Sequence, residues 1–158
     1  MNENQSRQNN SFNEICSKPT NLVALYNSLS GNQYPLDTPV EVKVLTDNQE
    51  DYIYFVIDDK IVVLSEQSVV NENTPLRFFF LMSRFYETIL ANGLNKYARK
   101  LINLPRPEFY VLYNGEDDFP EEKTLKLSDA FKGGYTPSLF GCKAELQVKV
   151  VNINKRKV

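Results

Sequence analysis

The sequence contains no histidine, so any acid-base, nucleophilic or metal chemistry it performs rests on carboxylates, amines, hydroxyls and thiols. Ser-His-Asp and Cys-His catalysis, haem ligation through imidazole and every His-containing zinc site are excluded. The two cysteines, Cys16 and Cys142, stand 126 positions apart. That spacing makes neither a CxxC redox pair nor a four-ligand zinc cluster, so they read as reduced core or surface thiols. Acids are plentiful, 20 Asp and Glu against 18 Lys and Arg, but their densest run, Glu116-Asp117-Asp118 and Glu121-Glu122 around Pro120, reads as a solvated loop. The cations fall in three groups. Arg77 and Arg84 lie two helical turns apart on one side, where they either reach phosphates or solvate a face and pair with an acid such as Glu87. Lys96, Arg99 and Lys100, with Tyr97 among them, form the best local basic cluster for touching a nucleic-acid backbone. Lys155-Arg156-Lys157 reads as a basic solubilising tail. Against all three stands the whole chain, whose formal charge of −2 and pI near 5.3 give no general attraction for a polyanion.

These groups need a scaffold, and the apolar pattern supplies one. Residues 1–10 are rich in Asn, Gln and Ser and predict a disordered tail. From Pro19, Leu22, Val23, Leu25, Tyr26 and Leu29 recur at helical spacing, with Thr20 or Asn21 as cap and Gly31 as stop. Val40, Val42 and Val44 alternate with charges as a half-buried strand. Tyr52 to Ile57 and Ile61 to Leu64, joined through Asp58, Asp59 and Lys60, predict an antiparallel hairpin that completes a three-strand meander. Asn73 or Thr74 caps a long helix with Pro75 at its first position, running to Gly93. Its Phe78, Phe79 and Phe80 cover more than one face, which predicts a helix buried at the centre of the fold with Phe79 in the core. Leu94 to Leu101 reads as a second helical stretch before Pro105, and Glu108 to Tyr113 as a strand. Leu125 to Phe131 reads as a short element ending at Gly133-Gly134, and Leu146 to Val151 as a last strand.

A chain of 158 residues with 42% apolar and 24% charged residues has enough apolar surface for one core. Its longest apolar runs fall far short of the roughly 18 residues of a membrane span, and its N-terminus is polar where a signal peptide would be apolar. The expectation is a cytoplasmic location with no membrane partner and no small-molecule cofactor. The order of helix, three strands, helix, strand, with a further strand near the end, predicts an α/β or α+β sandwich.

Several segments resemble one family. These are Leu22-Val23-Ala24-Leu25-Tyr26-Asn27-Ser28-Leu29-Ser30-Gly31, Thr74-Pro75-Leu76-Arg77-Phe78, Phe109-Tyr110-Val111-Leu112-Tyr113-Asn114-Gly115, Leu125-Lys126-Leu127-Ser128-Asp129-Ala130-Phe131 and Val148-Lys149-Val150-Val151-Asn152-Ile153-Asn154. In this order they resemble the bacterial PD-(D/E)XK nuclease family transposases, also called recombination-promoting nucleases. The likeness runs from roughly Ser11 to Asn154 and implies a nuclease-like domain over residues 11–154, followed by a basic tail over 155–158. It implies a restriction-endonuclease-like core with the element order above and an additional C-terminal strand. It also implies DNA cleavage assisted by magnesium, held by a strand aspartate and by a glutamate two residues before a Gln or Lys on the next strand. Such a site needs hard oxygen ligands, and the metal activates water while screening phosphate charge.

Matched to that pattern without gaps, the chain places Tyr52 at the aspartate, Ser65 at the glutamate and Gln67 at the Gln or Lys, while the helix position that commonly carries another glutamate is Ala24. The resemblance therefore points to a catalytically impaired protein without a bound metal that retains DNA or protein binding. A one-residue register slip brings Asp51 and Glu66 to the ligand positions, with Gln67 or Lys60 assisting. That alternative restores a magnesium-dependent endonuclease, although a slip also reverses the faces of Ile61 and Val63. The family usually continues into a long helical region. A third expectation is accordingly a non-catalytic fragment that forms homo-oligomers or associates with a full-length relative through a sheet edge or an aromatic patch.

Overall fold

The structure is a computed structural model that describes residues 12–133 and 144–156. The N-terminal tail, Gly134, Cys142 and Lys157 lie outside the described residues. Residues 12–16 form a helical turn, and two longer helices follow, α1 (Pro19–Ser30) and α2 (Thr74–Leu90). Six strands, β1 (Lys43–Asp47), β2 (Glu50–Ile57), β3 (Lys60–Gln67), β4 (Arg106–Tyr113), β5 (Glu122–Lys126) and β6 (Gln147–Asn152), make one mixed sheet in the order β1-β2-β3-β4-β6-β5. The molecule is thus an α/β protein. β1, β2 and β3 form an antiparallel meander, β4 runs parallel to β3 after the α2 crossover, and β6 lies between β4 and β5, parallel to the former.

Strand periodicity divides the core into two layers. Ile53, Phe55 and Ile57 of β2, Val62 and Leu64 of β3, Tyr110 and Leu112 of β4 and Val151 of β6 pack with Leu22, Val23, Leu25, Tyr26 and Leu29 of α1. The alternate residues, Tyr52, Ile61, Val63, Phe109, Val111, Tyr113, Val148 and Val150, pack with Phe78, Leu81 and Phe85 of α2. Both faces of the central strands are covered, which explains why β3 reads as a nearly continuous apolar run. The turns fit their chemistry. Asn48 and Gln49 both take positive φ, 49° and 65°, as a tight hairpin between Asp47 and Glu50 requires, and Asp58 does so at 54° in the next turn. Gly31 ends α1 in the left-handed region at φ 78°, with its N–H on Asn27 O.

Several expectations from the sequence change, including a strand at Glu122–Lys126 where a loop is expected and an end of α2 at Leu90 instead of Gly93. Thr20 and Asn21 lie inside α1, which starts at Pro19 with no side-chain cap. The first strand begins only at Lys43, because Val40 and Val42 pack on the α1 layer from outside the sheet. Helix α2 is not central. Phe78 is fully buried, whereas Phe79 and Phe80 are 41% and 61% exposed, because the buried stripe follows Phe78, Leu81 and Phe85 and leaves the opposite side to solvent. Residues 94–101 form no continuous helix but a succession of turns, since no described element covers their apolar side chains.

Candidate functional site

The β2–β3 register decides where the polar side chains of the hairpin point. Tyr52 pairs directly with Ser65. Both belong to the α2 side, as does Gln67, and all three are buried at 1%, 2% and 7% exposure. Tyr52 donates to Glu50 Oε2 at 2.7 Å, Glu50 receives Arg77 at 2.6 Å, and Thr74 donates to Gln67 Oε1 at 3.4 Å. Burial is the main reason the Tyr52 phenol is pushed well above its ordinary range, with its bond to Glu50 next. This is a structural seam between the sheet and the start of α2. Ala24 is exposed on α1, across the sheet from these three residues. The four positions of the ungapped match therefore do not meet at one site.

The neighbouring acids do share a face. Asp51 keeps phase with Ile53, and Glu66 with Leu64, so both belong to the α1 side, one step beyond the Tyr52–Ser65 pair. Cross-strand neighbours at such a step have Cβ atoms about 4.5–5.5 Å apart. No slip is involved, since the register is regular and Ile61 and Val63 stay on the α2 side.

The helical turn at residues 12–16 lies beside this pair. Asn13 Nδ2 reaches Asp51 Oδ2 at 3.5 Å, and Thr46 Oγ1 donates to Asp51 Oδ1 at 2.6 Å. Asn114, just past β4, donates to Glu66 Oε1 at 2.6 Å. Burial holds the Glu66 carboxyl above its ordinary range, opposed by the Asn114 bond. Burial, and then the charge of Glu66, pushes the Cys16 thiol up to about 12, so Cys16 is inert as a nucleophile. Asn13 Oδ1, Glu66 Oε2 and Asn114 Oδ1 are buried acceptors without partners among the described residues. Sequence reasoning missed Asn13 and Asn114, and read Cys16 as a core or surface thiol without placing it beside the acids. Asn114 looked like a turn residue before Gly115, and the turn at 12–16 has too little periodicity to register.

The other candidates disperse. Lys60 lies at the turn end of β3, six residues or about 20 Å along the strand from Glu66. It pairs with Asp59 and donates to the Tyr34 hydroxyl, so it cannot assist the acid pair. Arg77 is held by Glu50 and Arg84 by Asp47, rather than by Glu87. Lys96, Arg99 and Lys100 are exposed and carry no ion pair to a described residue.

With the fold and these positions defined, the class is an α/β protein built on a six-stranded mixed sheet. Comparison with family models, curated proteins and solved structures gives no match to the chain.

Proposed function

We propose that the chain is a catalytically impaired relative of the PD-(D/E)XK nuclease family transposases, a binding module on a nuclease-like fold. The element order supports the likeness, since an antiparallel meander is followed by a helix and by a strand parallel to the third. One observation carries the impairment. Tyr52 and Ser65, the two positions that the ungapped match gives to carboxylates, face each other inside the α2 layer, where neither contributes an ionised oxygen.

The acids on the opposite face do not replace them. Magnesium demands near-octahedral oxygen coordination, usually with one or two carboxylates supported by a polar shell. Asp51 is engaged by Thr46 and Asn13, burial holds the Glu66 carboxyl above its ordinary range, and the residue two beyond Glu66 is Ser68 in place of Gln or Lys. Among the described residues, no three His, Cys, Asp or Glu side chains converge as a metal group. The pair lacks both a third acidic ligand among the described residues and the Gln or Lys of the family motif, and no metal-assisted step is assigned.

The test is incubation of supercoiled plasmid with the protein in magnesium or manganese. The expected result is intact supercoiled DNA, unchanged by Glu66→Ala. Nicking or linearisation abolished by Glu66→Ala or Asp51→Ala would establish the active endonuclease instead.

A further inference from the structure

Residues 94–104 have the pattern of a helix without its structure. At 3.6 residues per turn, Leu94, Tyr97, Ala98, Leu101, Ile102 and Leu104 fall on one continuous arc of about 160°, and Asn95, Lys96, Arg99, Lys100 and Asn103 fill the other. From Thr88 to Pro107 the chain has four cations and no acid, within a protein of net charge −2. Only the first turn is formed. Asn95 Oδ1 accepts the Tyr97 N–H at 2.9 Å and Asn95 O accepts the Ala98 N–H at 2.9 Å, the contacts of an N-cap and its opening turn. The apolar residues stay largely in water, with Tyr97 84% and Leu101 85% exposed and Ile102 half-buried. So short a helix is marginal in water unless its apolar face is buried. The flanks are tied to α2, through Leu94 N on Leu90 O at 3.1 Å and the Tyr86 hydroxyl on Pro105 O at 2.6 Å.

We propose that this segment docks on an anionic lipid surface, where it folds from Asn95 into an interfacial helix. Its apolar arc would enter the acyl boundary, and Lys96, Arg99 and Lys100 would meet the phosphate headgroups. Charge selects the occupant. A second copy would bring like-charged segments together, and a nucleic acid would satisfy the cations while leaving Leu94, Leu101 and Leu104 in water. A binding groove takes a narrow line of anchors, whereas an arc of nearly half the circumference matches a flat boundary. Tyr97 and Lys100 stand at the edge of the arc, where an amphipathic ring and a snorkelling amine belong. The inference uses no residue of the acid pair and is independent of the nuclease-like reading.

The experiment is co-sedimentation of the full chain with vesicles of phosphatidylcholine alone or mixed equally with phosphatidylglycerol. Far-UV circular dichroism is recorded in parallel. The protein should sediment with the anionic vesicles only, gain helical signal on binding and release in high salt. Leu101→Glu should weaken binding by at least about tenfold, because it puts a charge in the apolar arc and repels the headgroups. An unchanged thermal melt for that variant shows that the fold is intact. Absence of sedimentation with anionic vesicles overturns the proposal, as does binding undiminished by Leu101→Glu. Binding of duplex DNA without vesicle binding overturns it in favour of a nucleic acid, and Leu101-dependent dimerisation without vesicle binding overturns it in favour of a second copy.

Discussion

Glu66 carries a carboxyl whose ionisation its burial opposes. Burial raises its pKa above the ordinary 4.5, so the native state binds this proton more tightly than the unfolded chain does. The resulting stability is fully present below pH 4.5 and is lost as pH rises through the raised value. Glu66→Gln keeps an acceptor for Asn114 and removes the ionisation. It should therefore raise the melting temperature at pH 7 and leave it unchanged at pH 4; equal effects at both pH values would refute the assignment. Phe78 and Phe79 form a second test. Phe78→Ala should cost about 3–5 kcal/mol in urea unfolding because the ring fills the α2 layer against Tyr52 and Phe109. Phe79→Asp, on the open side, should stay within about 0.5–1 kcal/mol of wild type. The run of three phenylalanines conceals this difference. The spacing of Phe78, Leu81 and Phe85 reveals it, because it selects one stripe of the helix.

At the scale of elements, α1, the β2–β3 hairpin, α2, β4 and β6 were legible because each carries its own period and its own stop. What failed depended on neighbours. The pattern of residues 94–101 is helical, yet its apolar residues remain exposed in this chain, and a costly nucleus does not propagate without burial. The acid pair was legible as two residues but not as a shared face, because face depends on which cross-strand pair sets the register. The close passage of the β3 and β4 ends was equally invisible. Gly115 follows Asn114 there, and a Cβ on it would meet the carbonyl of Ser68 and the ring of Tyr113. The obstacle is backbone on one side and a core ring on the other, so neither yields cheaply. Gly115→Ala should cost about 2 kcal/mol or more by forcing the two strand ends apart. Because Asn114 is then drawn from Glu66, the pH dependence of stability should also change; an unaltered melt would show that the junction relaxes freely.

For the molecule as a whole, the order in which strands meet was the part least available from local pattern. β6, last in the chain, enters between β4 and β5 through pairings that no window of sequence contains. That insertion gives the basic end a structural task. Lys155 pairs with Asp118, and Arg156 reaches Glu122 on β5 at 2.5 Å while donating to Ser28 O at the end of α1 at 2.8 Å. Lys149 joins Glu122 and Leu29 O, so one carboxylate and two cations bind the edge strand to α1. The described part of the presumed solubilising tail is therefore a clasp. The ion pairs are partly exposed and screened, and the bond to the Ser28 carbonyl is the less salt-sensitive component. Arg156→Ala should lower stability by about 1–2 kcal/mol in urea unfolding. Arg156→Lys should recover part of this loss, because it keeps the charge but lacks the planar fork whose two nitrogens reach the two acceptors separately. Stability unchanged in Arg156→Ala would mean that β5 and α1 are held without the clasp and that the end of the chain is a tail after all.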